Sequence, residues 1–557
     1  MDHGNKGRHG SGKVCFMIVL HQVKLGIKDN KDILKKKCAS LLGVDPERIV
    51  SLKILRESLD ARKKPDLIIS YEAGLVLAGL NDIRNEERFL KKLKKTDAEA
   101  EDIIDFEFPY HAPDSFERPL IVGFGPAGIF CAYLLAASGF KPIVLERGRA
   151  IEDRQKDVLA FWKTGILNTE SNVQFGEGGA GTFSDGKLNT AVKGSKNLQR
   201  FVLDTFVKFG APEDITYSYK PHIGTDKLSE IIPKMREYIT EKGGEVRFES
   251  RVDGLITEGG RIKGVIVKKG DFAEEILSGN VCLAIGHSAR DTFRMLCGSG
   301  IEMSFKPFAV GVRCEHDQIF IDRSQYGVDN LNELGAAPYK LTAKTRGGRG
   351  VYTFCMCPGG YIVDASSEEN RLCVNGMSYR DRASGKANSA VVVAVGEEDI
   401  EGEDPLKGLF WQERLEEAAY KVSNGLIPVQ RLDDFKTGNI SCKEGIAPRI
   451  MGRWTCEDIG SFLPGFVKKG IEDGFTEFGK KIKGFDAPDT LLIGFEGRTS
   501  SPVRISRTDE FNAIGIEGLY PCGEGAGYAG GITSAAVDGC KVAMQIAKNI
   551  LSNSKGN

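Results

Sequence analysis

The chain has 557 residues, too many for one ordinary domain, and about three to four units of normal size fit that length. Hydrophobic residues make up 41%, charged residues 27%, and the formal net charge is −1, which argues against a bulk electrostatic pull toward nucleic acid or an anionic membrane. No apolar run reaches the ~18 residues of a bilayer span. The 13 cysteines are scattered and lack CxxC or zinc-ligand spacing, which fits reduced thiols in the cytoplasm and no metal site.

Residues 1–13, rich in Gly, His and Lys, are expected to be a disordered tail. Residues 14–96 read as a small α+β domain. It comprises an alternating strand from Val14 to Leu25, a helix from Lys31 to Leu42, strands at Ile49–Leu55 and Asp66–Val76, and a basic helix from Asn81 to Lys95. Arg84, Arg88, Lys91, Lys92, Lys94 and Lys95 of that helix form either a solvated face or a contact for RNA or a partner. Phe89 is the one interleaved aromatic, which disfavours base stacking and nucleic acid as a partner. Residues 97–117 turn acidic and then rich in Pro, His and Asp (Pro109, His111, Pro113) and read as a linker.

A strand ending at Val122 then meets Gly123-Phe124-Gly125-Pro126-Ala127-Gly128 and an apolar helix closed by Gly139. A second strand, Pro142–Leu145, ends on Glu146, followed by Arg147. This strand, glycine turn, helix and acid together form a dinucleotide fingerprint. Gly123 permits the turn, Gly125 admits a pyrophosphate, Gly128 lets helix and strand close up, and Glu146 holds a ribose hydroxyl. An acid at that position disfavours a 2′-phosphate.

Two further glycine clusters follow. Phe175 to Lys187 contains Gly176, Gly178, Gly179, Gly181 and Gly186, and such a loop lets main-chain amides converge on a phosphate or a planar ring. Thr182, Ser184 and Lys187 add polar groups there. Downstream come a helix opening at Thr225, a strand with Arg251-Val252, and an apolar strand, Val281–Ile285, ending on Gly286-His287. Near the C-terminus, Cys522-Gly523-Glu524-Gly525-Ala526-Gly527 leads into a helix from about Gly531 to Leu551 whose small residues (Ala535, Ala536, Gly539, Ala543) invite close packing. Its N-terminus carries partial positive charge.

The three clusters together resemble the flavoproteins built like glutathione reductase. The resemblance implies that Gly123, Gly125, Pro126, Ala127, Gly128, Glu146 and Arg147 hold the ADP half of FAD, and that Val252 passes the adenine. It further implies that Gly178, Gly179, Gly181, Thr182, Lys187 and Gly286 contribute to the same site. Gly523, Glu524 and Gly525 would hold the ribityl chain, and the helix at Ile532 would point at the flavin C2 carbonyl. This chain has Glu524 where most members carry Asp. A narrower resemblance, to the uncharacterised bacterial FAD-dependent (NAD(FAD)-utilizing) dehydrogenases, rests on Arg56 to Lys64, Gly178 to Lys187, Ala284 to Phe293, Phe354 to Gly360, Asn375 to Ser378 and the 523–532 run.

The expected architecture is α/β: an FAD-binding Rossmann-like domain in two parts (118–300 and 485–557), split by a mixed α+β substrate domain (301–484) and preceded by the small α+β domain. The expected activity is oxidation or reduction of a small molecule by hydride transfer through the flavin, with NAD(P)H as candidate electron donor. The alternative is a flavoprotein redox sensor that docks partners through residues 14–96. The 176–187 loop holds no Cys, which argues against a disulfide reductase. Candidate catalytic residues are Cys355 and Cys357, which are either packed thiols or a redox or ligand pair sharing one strand face, together with His287 and Arg504. Polar residues crowd Asn375 to Asn388 (Arg380, Asp381, Arg382, Lys386) and Arg498 to Arg507.

Overall fold

The computed structural model describes residues 14–80, 83–91, 93, 97–189, 195–328, 334–441 and 445–554. The N-terminal tail and Lys92, Lys94 and Lys95 lie outside them. The long strand Val14–Gly26 buries Met17, Ile18, Val19 and Leu20 in succession and, after a register shift between Leu20 and Val23, also Val23 and Leu25. It sits inside an antiparallel sheet ordered Ile49–Asp60, Ile68–Leu77, Val14–Gly26, Ala98–Ile104. The helix Ile33–Leu42 lays Leu34, Cys38, Ala39 and Leu42 on that sheet and stops at the left-handed Gly43. The fourth strand corrects the linker reading, because residues 98–104 pair with the first strand. An acidic strand at a sheet edge has its charges in water, so composition alone imitates a linker there.

A five-stranded parallel sheet forms the centre, in the order Leu519–Pro521, Val281–Leu283, Leu120–Val122, Ile143–Leu145, Glu245–Arg247. Its first strand comes from the end of the chain. Helices Pro126–Ala137, Thr225–Glu241 and Ile532–Ser554 cover one face. Pro126 opens its helix at the one turn where a missing N–H costs nothing. A three-stranded antiparallel sheet, Arg251–Glu258, Arg261–Lys269 and Phe272–Leu277, and the helix Arg290–Gly298 pack on the other face.

Between these strands the chain builds a seven-stranded sheet: Thr342–Lys344, Gly350–Cys357, Lys386–Val395, Phe308–Asp317, Leu491–Glu496, Ile427–Arg431, Trp454–Cys456. The helix Gly465–Lys481 buries Val467, Ile471, Phe475 and Phe478 against it. Ten described cysteines are free. Cys456 is disulfide-bonded. Among the described residues no helix is long and apolar enough to cross a membrane.

Candidate functional site

The parallel strands end at a cavity of about 590 Å³. Val122, Leu145, Ala284 and Cys522, each at or just past the C-terminal end of its strand, line it, the edge where open α/β sheets bind ligands. The three glycine clusters meet there. Gly178 N donates to Phe124 O at 2.8 Å, which ties the second cluster to the first. Gly179 has φ +62, and a Cβ on it would lie 3.0 Å from Gly125 Cα. A Cβ on Gly523 would lie 2.8 Å from Ala127 Cβ, which ties the third cluster to the first.

Gly123, Gly125, Pro126 and Ala127 line the cavity, as do Gly179, Gly181 and Lys187 of the second cluster and Glu524 and Ile532 of the third. Glu146, Arg147, Val252, Gly286 and His287 line it as well. Gly128, Gly178, Thr182, Gly523 and Gly525 stand behind this surface. A Cβ on Gly128 would overlap the Gly123 carbonyl, and one on Gly525 would overlap the Gly286 carbonyl. Thr182 is buried and donates from Oγ1 to Glu177 O at 3.5 Å. Gly523 N donates to Asp538 at 2.7 Å.

Glu146 is 5% exposed. Its carboxylate accepts from the amides of Phe124 (2.8 Å), Gly148 (2.9 Å) and Gly176 (3.0 Å). Two carboxylate oxygens have room for about four donors, so one more can join. Arg147 spans Glu170 and Asp291 at 2.9 Å each and lies over the Phe175 ring at 4.1 Å. The cradle fits a nucleotide on a simple test. A Cβ added at Gly286, Gly530 or Gly531, all cavity-lining, would meet nothing within 4 Å, so these positions leave open volume where side chains would fill it. Burial pushes Glu524 up to about 7, against the pull of Lys306.

The opposite wall belongs to the seven-stranded sheet. Thr353, Phe354, Cys355 and Met356 of the strand Gly350–Cys357 reach the cavity, and so does Glu496. Register slips between Phe354 and Cys357, where Cys355 takes φ +42. The slip breaks the strand's alternation, so Cys355 lines the cavity while Cys357 is buried behind it and donates to Cys355 O at 3.3 Å. The bulge offsets the pair from regular alternation, yet the two thiols stay in contact through a side-chain hydrogen bond. A hydrogen bond from Cys357 favours the Cys355 thiolate; burial opposes it, and Lys187 and Arg313 add to the lowering. Arg313 is fully buried and binds Glu496 at 2.6 Å, Asn388 at 2.6 Å and the Cys355 carbonyl at 3.3 Å. Burial raises Glu496 to about 7 even so.

His287 Nδ1 lies 2.8 Å from Ser288 Oγ, which donates to Gln174 Oε1 at 3.1 Å. The serine proton is thus engaged, so His287 carries its own proton on Nδ1 and keeps Nε2 as an acceptor. Burial, with Arg498 and Arg290 nearby, lowers it to about 4, and it is neutral at pH 7. Arg504 does not reach the cavity; it is exposed, over the Tyr528 ring at 5.1 Å. Arg507 is spent on Asp538 at 2.8 Å. Arg498 lines the cavity but is held by Glu416 and Ser367.

A protein of Clostridium beijerinckii, described as uncharacterised, is 43% identical over 535 residues, spanning 95% of this chain and 98% of its own. The chain belongs to the family of that protein. Residues 307–499 match the family described as FAD-dependent protein, C-terminal domain-like, and residues 17–75 match a domain of unknown function, DUF8436. Three solved structures are similar at lower levels. The flavin-dependent brominase Bmp2 is 12% identical, with 78% of this chain and 80% of that chain covered and a TM-score of 0.38. The geranylgeranyl bacteriochlorophyll reductase-like protein of Thermoplasma acidophilum is 12% identical, with 78% and 79% covered and a TM-score of 0.35. The glycerol-3-phosphate dehydrogenase of Bacillus halodurans, complexed with FAD, is 11% identical, with 79% and 66% covered and a TM-score of 0.33. At these scores the likeness carries no argument about this member of the family.

Sequence reasoning missed Glu496, Lys220 and Lys340 as cavity residues. The polar stretch 375–388 was a partial signal, since its Asn375 and Arg382 line the cavity.

Proposed function

We propose that this chain is an FAD-dependent oxidoreductase acting on a small molecule. The observation that carries the reading is the meeting of three glycine turns, spread over some 400 residues of sequence (123 to 532), at one cavity on the C-terminal edge of a parallel sheet. The match of residues 307–499 to the FAD-dependent C-terminal domain supports it. FAD, when bound, supplies two-electron hydride chemistry. The amides of the 123–128 and 179–181 turns would hold its pyrophosphate, and Glu146 and Val252 its adenosine half. The helix starting at Ile532 would present its positive end to the reactive ring. The sheet wall around Phe354 and Cys355 borders the same cavity, and His287 offers a neutral acceptor. Anaerobic titration of the purified protein with NADH and then NADPH tests the activity. Bleaching of the visible flavin band, restored by an added acceptor, is expected; a flavin left oxidised by both contradicts it.

A further inference from the structure

The sheet side of the cavity gathers positive charge. Lys187, Lys220, Lys340 and Arg382 line it there. Asp185 is buried and already takes Arg382 in bonds of 2.7 and 3.2 Å, with Lys187 Nζ 4.0 Å away. Glu496 is committed to Arg313. Lys187 and Arg382 are close enough to Lys220 to repel it. Lys220 and Lys340 are exposed at the mouth and have no ion-pair partner among the described residues. Four cations against the single carboxylate of Asp185 leave an excess of positive charge on this side of the cavity, and a concave site focuses that field on an entering anion.

None of the four belongs to the fingerprint turn 123–128. Lys187 acts electrostatically on Cys355 and Glu496 of the sheet, whereas the phosphate-binding amides lie at Gly123, Gly125 and Gly179. Between the cations the same wall is apolar, built from Pro338, Tyr339, Phe354 and Met356. Tyr339 turns its hydroxyl inward to Ser389 at 2.9 Å, so it offers the cavity ring surface.

We propose that this wall is the substrate subsite and that it takes an organic anion, a carboxylate or phosphate head on an aromatic or branched apolar body, with Lys187 as the anchor and Lys220 and Lys340 steering at the mouth. Lys187 thereby serves the substrate and not the cofactor. The inference rests on the oxidoreductase reading only in calling the anion a substrate.

Calorimetric titration of the full-length protein with benzoate, phenyl phosphate and benzyl alcohol tests it and reads binding with or without bound flavin. At least one anion should bind about tenfold or more tighter than the alcohol, and the choice between the anions identifies the head group. Lys187→Gln should weaken that anion about tenfold with FAD content unchanged. Lys220→Gln with Lys340→Gln, both exposed, should weaken it about threefold and flatten its salt dependence. Equal binding of anions and alcohol, no binding of either anion, or Lys187→Gln losing flavin together with the anion would each overturn the proposal. A colourless protein that still selects the anion would sink the flavin reading and keep this one.

Discussion

One cavity has two walls of different make. The wall on the parallel sheet is main chain: glycine turns and strand ends that line the cavity. The wall on the seven-stranded sheet is side chain: Cys355 lifted out by a register slip, Glu496 against Arg313, and unmatched lysines. Main-chain sites depend on local conformation, so a short run of sequence writes them. Side-chain sites depend on which distant residues the fold brings together, and no local pattern records that. The difference separates a wall suited to a shared coenzyme from one suited to a particular substrate.

The joint between the walls gives the largest expected effect. Glu416 is fully buried, with Arg290 at 2.7 and 2.8 Å and Arg498 at 2.7 and 2.8 Å, and it links the helix Lys407–Ser423 to the Arg290–Gly298 helix. Burial would raise its pKa, but the two arginines hold it down to about 2. Glu416→Gln leaves two buried cations short of a partner and should cost about 3–5 kcal/mol in chemical denaturation. Because the folded value is depressed, Glu416 stabilises above its unfolded pKa near 4.5. That contribution should drain as pH falls from there through about 2, and the Gln variant should lack this acid-side slope.

The main-chain wall breaks next. Gly179→Val places a side chain at φ +62 against Gly125. A strain of about 1–2 kcal/mol plus the lost approach should cut bound FAD per protein at least tenfold, read from the absorbance of purified protein. A Gly179→Val protein that keeps its flavin would show that the second turn is not part of the cradle.

The side-chain wall is sharpened by Cys355. It lines the cavity with its thiolate favoured, whereas Cys282 and Cys540 are buried with raised pKa values. Iodoacetamide should label Cys355 roughly tenfold faster than these by peptide mass spectrometry. Equal labelling would make it a packed thiol.

A pH-dependent effect lies where the walls meet. Burial raises Glu524 to about 7 in the folded chain, against 4.5 unfolded. A raised carboxyl contributes fully below 4.5, and the contribution is lost as pH rises through 7. The melting temperature of Glu524→Gln should therefore gain on the wild type between about pH 5 and pH 8; a constant gap would place Glu524 in an ordinary solvated state.

Much of the central sheet was legible because its strands are short apolar runs ended by glycine: Leu120–Val122 before Gly123, Val281–Leu283 before Gly286, and Leu519–Pro521 before Gly523. Ala98–Ile104 was not, since an edge strand need not be apolar. The Cys355–Cys357 reading assumed regular alternation, and a bulge with positive φ at a non-glycine residue leaves no mark in composition. Lys220 and Lys340 are ordinary surface lysines in sequence and line one cavity only once the chain has folded. Arg504 shows the converse: it stands in a polar stretch just before the last glycine motif, yet its strand turns it to solvent.

The central claim is that the three glycine turns grip one FAD. The visible spectrum of the purified, folded protein, with the cofactor released by denaturation and identified, tests it most directly. The account predicts a yellow protein that yields FAD and not FMN, at close to one per chain. A folded, colourless protein that takes up no added FAD would contradict it.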